Sequence, residues 1–249
     1  MRQLSESQIR FYREKGYLSL HVFNSELLDA ANADAERLLN DPELIFPGNL
    51  RCRWQGDNEP GTPLEALDPI IDLSSTIREI ACGEMLVSSI STLLGEQAYL
   101  FKDKIVYKQP GSSGYRLHQD YMDWDWYPKT CTIALVALDA SDEETGCLEV
   151  WPGYHRHGFF KEEKVGFISM ADEWAEGKES VLVPLERGDV MFFDCLLPHR
   201  SAPNRSKRMR RHLYLSYNAE SDGGEQRDAY YRSEKDWFKQ YFSHNIFFK

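Results

Sequence analysis

The sequence predicts a mainly β fold, a barrel or sandwich of short strands braced by helices on its N-terminal side. Three observations lead there. Helical periodicity and helix caps dominate residues 1–96. From Gln97 the texture changes to short apolar runs separated by Pro, Gly, Asn and Asp clusters. No internal repeat, low-complexity tract or linker interrupts the chain. One domain over residues 1–249 is therefore expected, with a helical layer at 1–96, a β-barrel core at 97–218 and a helical extension at 219–249.

The elements follow in order. Ser5-Glu6-Ser7-Gln8 has the form of a capping box, with Gln8 three residues after Ser5. Ile9, Phe11 and Tyr12 then fall on roughly one helical face, and Gly16 supplies the stop. Tyr17 to Phe23 is short and apolar enough for a strand. A second helix is expected from Ser25 to Leu39, burying Leu27, Leu28, Ala31, Ala35, Leu38 and Leu39 before Asp41-Pro42 ends it. Residues 47–63, with Pro47, Gly48, Gly56, Pro60, Gly61 and Pro63, read as a long loop of the kind that covers active sites. A third helix is expected from Ser74 to Leu94, closing at Gly95. Strands are expected at Gln97–Lys108, Tyr115–Asp120, Thr130–Asp139, Leu148–Trp151, Ser180–Leu185, Asp189–Asp194 and Arg210–Asn218.

Composition narrows the class. With 42% hydrophobic and 28% charged residues this is an ordinary globular composition, and 249 residues suffice for one sizeable core. A formal net charge of −11 repels phosphate backbones, which argues against nucleic acid or an anionic membrane as partner. It is compatible with a cationic or zwitterionic substrate, although surplus carboxylates also serve plain solubility. The five cysteines are odd in number and show no Cys-x-x-Cys spacing, against a disulfide framework or zinc knuckle. Residues 1–20 lack the apolar core of a signal peptide, and no uncharged apolar run approaches the ~20 residues of a membrane span. A cytoplasmic protein, monomeric or homodimeric, acting on a small molecule is expected.

The chemistry is carried by three residues. In His118-Gln119-Asp120 the first and third side chains project from one face of a strand, so an imidazole and a carboxylate converge. Alone, such a pair is weak evidence. His199 follows the turn and apolar strand Glu186 to Asp194, and two His with one carboxylate on adjacent strands form the facial triad of non-haem Fe(II) oxygenases. Three ligands leave three octahedral positions, two for a chelating 2-oxo acid and one for dioxygen. Catalytic zinc with three ligands competes. Arg210, eleven residues after His199, tips the balance, because a 2-oxo acid with a distal carboxylate needs a guanidinium to take it bidentately. Ser201, two residues after His199, can donate a hydroxyl to the same carboxylate. Arg211 neighbours Arg210 on the strand and faces the other way, onto a solvated surface.

These residues sit within longer motifs: the N-terminal segment Gln8 to Leu18, Tyr107-Lys108-Gln109-Pro110-Gly111, Leu117-His118-Gln119-Asp120, Glu144-Thr145-Gly146-Cys147-Leu148, Trp151-Pro152-Gly153-Tyr154-His155 and His199-Arg200-Ser201-Ala202-Pro203-Asn204. Over most of its length the chain resembles the phytanoyl-CoA dioxygenase family of Fe(II)/2-oxoglutarate oxygenases. The resemblance implies a double-stranded β-helix (jelly-roll, cupin-like) core. It implies iron held by His118, Asp120 and His199, 2-oxoglutarate held by Arg210 and Ser201, and dioxygen as the further co-substrate. It implies hydroxylation of a small metabolite, of secondary-metabolite or amino-acid type, with release of succinate and carbon dioxide. Desaturation, epimerisation or ring closure are the alternative outcomes of the same chemistry, and a non-catalytic cupin-like metal protein the alternative of another class. Asp120 disfavours halogenation, for which relatives carry a small residue there. Two positions depart from the family pattern: Tyr154 stands where a serine is usual, and Leu135 where some members carry an aromatic.

Further candidates complete the expected site. Tyr107 is a candidate co-substrate contact, with a core tyrosine as the alternative, while Lys104 and Lys108 are expected on the solvated surface. Trp124, Asp125 and Trp126, in the segment after the metal strand, are candidate substrate-wall residues, with Asp123 and Asp125 suited to an amine. The alternative is packing against the helical layer. His155 is a candidate substrate contact, with capping or packing as the plainer role.

Overall fold

The computed structural model describes residues 4–59, 62–121, 127–161, 164–165 and 169–233. The helices α1 (Glu6–Lys15), α2 (Ser25–Leu39), α3 (Gln55–Asn58), α4 (Ser75–Cys82) and α5 (Glu84–Leu94) are interleaved with the short strands β1 (Tyr17–His21), β2 (Cys52–Trp54) and β3 (Leu64–Leu67). The β-rich part follows as β4 (Ala98–Lys108), β5 (Tyr115–His118), β6 (Cys131–Ala137), β7 (Leu148–Val150), β8 (Lys164–Val165), β9 (Ser169–Met170), β10 (Val181–Val183), β11 (Asp189–Asp194), β12 (His199–Ser201) and β13 (Arg210–Ala219). Two antiparallel sheets result. The larger runs β1-β11-β6-β13-β4-β3-β2 and the smaller β10-β7-β12-β5-β9-β8. This is the mainly β, jelly-roll-type arrangement with a helical brace that the sequence leads one to expect. Among the described residues no helix is long and apolar enough to cross a membrane.

Strand alternation sorts the side chains into two cores. Ala134 and Val136 of β6, Val190 and Phe192 of β11, and Leu213, Leu215 and Tyr217 of β13 pack outward against the helices. Ile133, Leu135 and Ala137 of β6, Met191 and Phe193 of β11, and Tyr214 of β13 point inward and meet Leu148, Val150 and Val183 of the smaller sheet. The larger sheet is thus buried on both faces, which is why β6 is apolar throughout rather than alternating.

The caps form as the sequence dictates. Ser5 and Gln8 make a reciprocal capping box, and Gly16 ends α1 in the left-handed region at φ 81°. Leu28, Ala31, Ala35 and Leu38 are the buried stripe of α2, with Leu27 and Leu39 packed at its margin. Of the three residues expected on the inner face of α1, Tyr12 is buried, Ile9 is partly buried, and Phe11 is 39% exposed, lying edge-on to Tyr17. The expected third helix is two, because the backbone at Gly83 is extended (φ −69°, ψ 146°) and α5 starts anew there. The expected loop at 47–63 contains β2 and α3, and β2 pairs with β3 so that Cys52 and Trp54 are buried. The long loop is therefore a sheet edge.

Residues 227–233 are helical and close one end of the larger sheet. Arg227 Nε donates to Asp103 Oδ2 at 2.6 Å, and the fully buried Asp103 also accepts the Ile70 and Ile71 amides. Tyr231 Oη donates to Asp68 Oδ1 at 2.9 Å, and Tyr230 packs on Phe101.

The helical layer is pinned to the sheet by a few polar links. Tyr12 Oη and Thr132 Oγ1 lie 2.8 Å apart in a buried setting. Tyr12→Phe leaves Thr132 without that partner and is expected to cost about 1 kcal/mol. That is a fall of about 2–4 °C in melting temperature for a chain of this size, read by thermal denaturation.

Candidate active site

The site is built on the pairing of β5 with β12, which sets His199 directly opposite His118. Asp120, two residues beyond His118, turns back to both. Its Oδ1 lies 3.5 Å from His118 Nε2 and its Oδ2 3.7 Å from His199 Nε2. One ligand atom from each of the three lies within 4.8 Å of the others, and among the described residues this is the one His/Cys/Asp/Glu group so arranged. Both imidazoles are oriented by the backbone. His118 Nδ1 donates to Arg116 O at 2.7 Å and His199 Nδ1 to Leu197 O at 2.9 Å. Each ring is thereby held in the tautomer whose Nε2 lone pair faces Asp120, as a metal ligand requires.

Charge at the cluster suits a cation. Burial, then the neighbouring His118, pushes His199 down to about 4, so it is a neutral ligand at neutral pH. Burial alone would raise the Asp120 carboxyl, but the close approach of His118, with His199 and Lys104 beside it, holds it well below the usual carboxylate range. Two imidazoles, each with its Nδ1 bonded to a backbone carbonyl, and one carboxylate fit Fe(II).

Gln119, between the metal-site residues, points away from them, as alternation requires. It is buried, its Nε2 donates to Gly158 O (2.9 Å) and Leu196 O (2.6 Å), and its Oε1 accepts Phe160 N (2.8 Å). One residue thus ties the metal strand to two loops.

Arg210 lies on the inward face of β13, wholly buried. Its Nη1 donates to Gly146 O at 2.6 Å, whereas among the described residues Nε and Nη2 have no hydrogen-bond partner. Those two nitrogens form one edge of the guanidinium, the edge that takes a carboxylate bidentately. Across the pair β4–β13, Arg210 faces Lys108, which is 2% exposed. Lys108 Nζ donates to Ser201 Oγ at 2.8 Å, to Gly146 O at 3.2 Å and to Ala202 O. Burial, then the Arg210 guanidinium, pushes the Lys108 ammonium down to about 7. Two buried cations, a hydroxyl and an unpaired guanidinium edge make a cradle for a carboxylate, so the residues present fit 2-oxoglutarate.

A pocket opens beside the cluster, lined by His118, Asp120 and His199 together with Lys104, Val106, Tyr115, Leu148 and Tyr214. The structure brings His118, Asp120 and His199 together, and sets Ser201 and Arg210 around Lys108 and Gly146.

Several expectations are corrected. Tyr107 alternates with Lys108 and so faces the helices, where its hydroxyl donates to Ala35 O at 2.9 Å; it is a core tyrosine and no co-substrate contact. Lys104 and Lys108, expected on the surface, occupy the inward positions. His155 packs on Gly16, where an added Cβ would lie 2.4 Å from its Nδ1, and its Nε2 is 3.2 Å from Arg13 O. It caps the end of α1 and is not a substrate contact. Tyr154 lies edge-on to Trp174, and Leu135 lies in the inner core beside Tyr214. Arg211 faces away from Arg210 as expected, but onto the helical layer rather than a solvated surface, and it is paired with Asp139 and Glu36. Trp124, Asp125 and Trp126, with Asp123, lie outside the described residues.

Comparison with known proteins agrees with the geometry. Residues 12–212 match the family model described as phytanoyl-CoA dioxygenase (PhyH). The chain belongs to that family. Over 247 residues it is 32% identical to a methylphosphonate hydroxylase of Gimesia maris, covering 95% of this chain and 89% of that protein. It is 30% identical to a 2-aminoethylphosphonate dioxygenase of the uncultured bacterium HF130_AEPn_1, covering 96% and 90%. In fold it resembles the crystal structure of EctD from S. alaskensis with 2-oxoglutarate and 5-hydroxyectoine, with a TM-score of 0.73 at 22% identity, over 88% of this chain and 77% of that one. The protein is an Fe(II)- and 2-oxoglutarate-dependent dioxygenase, with dioxygen as the further co-substrate.

Gly146 explains one of the sequence motifs. At φ 71° a Cβ there would stand 2.1 Å from Ala202 O and 2.7 Å from Lys108 Nζ, so no side chain fits without moving the cradle. Gly146→Ala is expected to lose about 2–3 kcal/mol of stability, read by thermal denaturation. Binding of 2-oxoglutarate, read by calorimetry, should weaken in the same variant.

Proposed function

We propose that this protein hydroxylates a small phosphonate metabolite, converting 2-oxoglutarate and dioxygen to succinate and carbon dioxide as one oxygen atom enters a C–H bond. In this reading His118, Asp120 and His199 hold iron, and Arg210, Ser201 and Lys108 hold the far carboxylate of 2-oxoglutarate. The observation that carries the co-substrate assignment is the unpartnered Nε/Nη2 edge of the buried Arg210 beside Ser201 and Lys108. A buried guanidinium with an unsatisfied edge is costly unless a ligand completes it. Iron(II) bound at the cluster supplies the activation of dioxygen and the oxidation of the substrate. The chain's own part is positional. The carbonyls of Arg116 and Leu197 fix the imidazoles, the Gly146 carbonyl aims Arg210, and the apolar walls Val106 and Leu148 limit water at the pocket.

Two lines support the substrate class. The relatives at 30% identity or more carry the names of enzymes acting on methylphosphonate or 2-aminoethylphosphonate and match this chain almost end to end. The pocket joins a cation at Lys104 to the apolar walls Val106 and Leu148 beside the metal cluster, which suits a small anion carrying a carbon group to be oxidised. The test is succinate formation and oxygen uptake by the iron-loaded protein with methylphosphonate or 2-aminoethylphosphonate. His199→Ala should abolish iron retention in equilibrium dialysis and lower turnover more than about 100-fold. Retained iron with full turnover would remove His199 from the metal site.

Lys108 adds a pH signature. Its ammonium titrates near 7 in the free protein, and a bound carboxylate favours the charged form. Below pH 7 Lys108 is already charged, so affinity for 2-oxoglutarate should be level with pH there. Above pH 7 binding should draw in a proton, and affinity should fall by up to about tenfold per pH unit. Calorimetry at pH 8 in buffers of different ionisation enthalpy reads the proton uptake, and Lys108→Met should remove it.

A further inference from the structure

One cation at the pocket has no task in the site as described. Lys104 lies on the inward face of β4, two residues from Val106 and four from Lys108. At ~3.3 Å per residue, that places it about 13 Å along the strand from the co-substrate cradle. The register across the sheet repeats the separation, since Lys108 faces Arg210 whereas Lys104 faces Tyr214. A 2-oxo acid running from the His118/Asp120/His199 cluster to Arg210 therefore occupies one end of the pocket. Lys104 stands at the other.

Its surroundings leave the ammonium open to a ligand. Lys104 Nζ lies over the ring of Tyr214, 5.3 Å from the centroid, and among the described residues it makes no hydrogen bond or ion pair. The nearby carboxylates are engaged elsewhere or stand off. Asp120 faces the two imidazoles, and Asp68 is approached by Lys102 and Arg53 and bonded by Tyr231. Glu65 acts on Lys104 through its field without reaching ion-pairing distance. A lysine at a pocket wall with only an aromatic face beside it has unused donors aimed at whatever enters.

We propose that Lys104 anchors the phosphonate oxyanion of the substrate at the end of the pocket opposite Arg210, and so selects an anionic substrate over its neutral analogue. The proposal rests on the reading of the site as an iron/2-oxoglutarate hydroxylase and names the residue that recognises its substrate. Bound there, the anion meets Lys104 while the attached carbon group extends toward the metal cluster, the orientation hydroxylation requires. No carboxylate of the described wall needs to move for the ion pair to form.

The test uses the full chain loaded anaerobically with Fe(II) and 2-oxoglutarate and titrated calorimetrically. The probes are methylphosphonate, 2-aminoethylphosphonate, the uncharged ester dimethyl methylphosphonate, and 3-aminopropanoate as the carboxylate counterpart. The wild type should bind at least one of the two phosphonates more tightly than both the ester and the carboxylate. Lys104→Gln should weaken that binding by about 20-fold, the loss of one charge-assisted hydrogen bond, and Lys104→Arg by less than about threefold. The dissociation constant of 2-oxoglutarate should change by a smaller factor than that of the phosphonate.

Equal binding of phosphonate and ester by the wild type, or wild-type affinity in Lys104→Gln, overturns the proposal. So does a loss of 2-oxoglutarate binding as large as the loss of phosphonate, which would make Lys104 a co-substrate contact. Tighter binding of 3-aminopropanoate than of either phosphonate overturns the phosphonate assignment. The wild-type comparison of charged and uncharged probes decides the matter even if Lys104→Gln does not fold. A wild type that takes up iron and 2-oxoglutarate but no phosphonate overturns the Lys104 proposal alone. One that takes up no 2-oxoglutarate overturns the site reading beneath it.

Discussion

The antiparallel pairing of β4 with β13 is the constraint on which the site depends. Its register sets Lys108 opposite Arg210 and Lys104 opposite Tyr214. A slip of one residue would turn Tyr107 and Arg211 inward and send both buried cations into the helical layer. The register is held by apolar packing on the outer face, where Ile105, Leu213 and Leu215 join the helix-side core. Hydrophobic burial on one side of the sheet thus aims the charged residues on the other.

Within that frame, the positions of functional groups are set largely by main-chain atoms. Carbonyls of Arg116 and Leu197 orient the two imidazoles, and the carbonyl of Gly146 receives both Arg210 and Lys108. Arg116 lies in β5, and Leu197 and Gly146 lie in turns closed by their own backbone hydrogen bonds, so the side chains they hold lose little further freedom when a metal or carboxylate binds. The site is preorganised by the sheet that carries it.

Much of this was legible in the sequence. The His-x-Asp spacing, the later His199 with Ser201, and Arg210 beyond were readable as a pattern, and the structure sets His118 and His199 on the paired strands β5 and β12, Asp120 just past β5, and Arg210 on β13 of the other sheet. The helix caps at Ser5 and Gly16 were readable because capping is local chemistry. Lys108 was not, since a lysine on a strand looks solvated unless it is known that the strand is covered on both faces. Tyr107 was misplaced for the same reason, one position out of phase. The break at Gly83 and the strand hidden in the Pro/Gly-rich stretch at Cys52–Trp54 depend on tertiary packing and pairing, which override local propensity. The candidate substrate-wall residues at 123–126 lie outside the described residues, so that segment stands as an expectation from the sequence.

The buried Asp103 carries a consequence for biosynthesis. It sits on β4, yet the guanidinium that neutralises it comes from Arg227, 124 residues later. A chain emerging N-terminus first has made its helical brace and β4 long before that cation exists. During synthesis the carboxylate must stay hydrated or protonated, so this end of the sheet cannot seal until the last helical segment arrives. Burial of Asp103 is therefore a late event in folding, tied to the arrival of one arginine from the far end of the described chain.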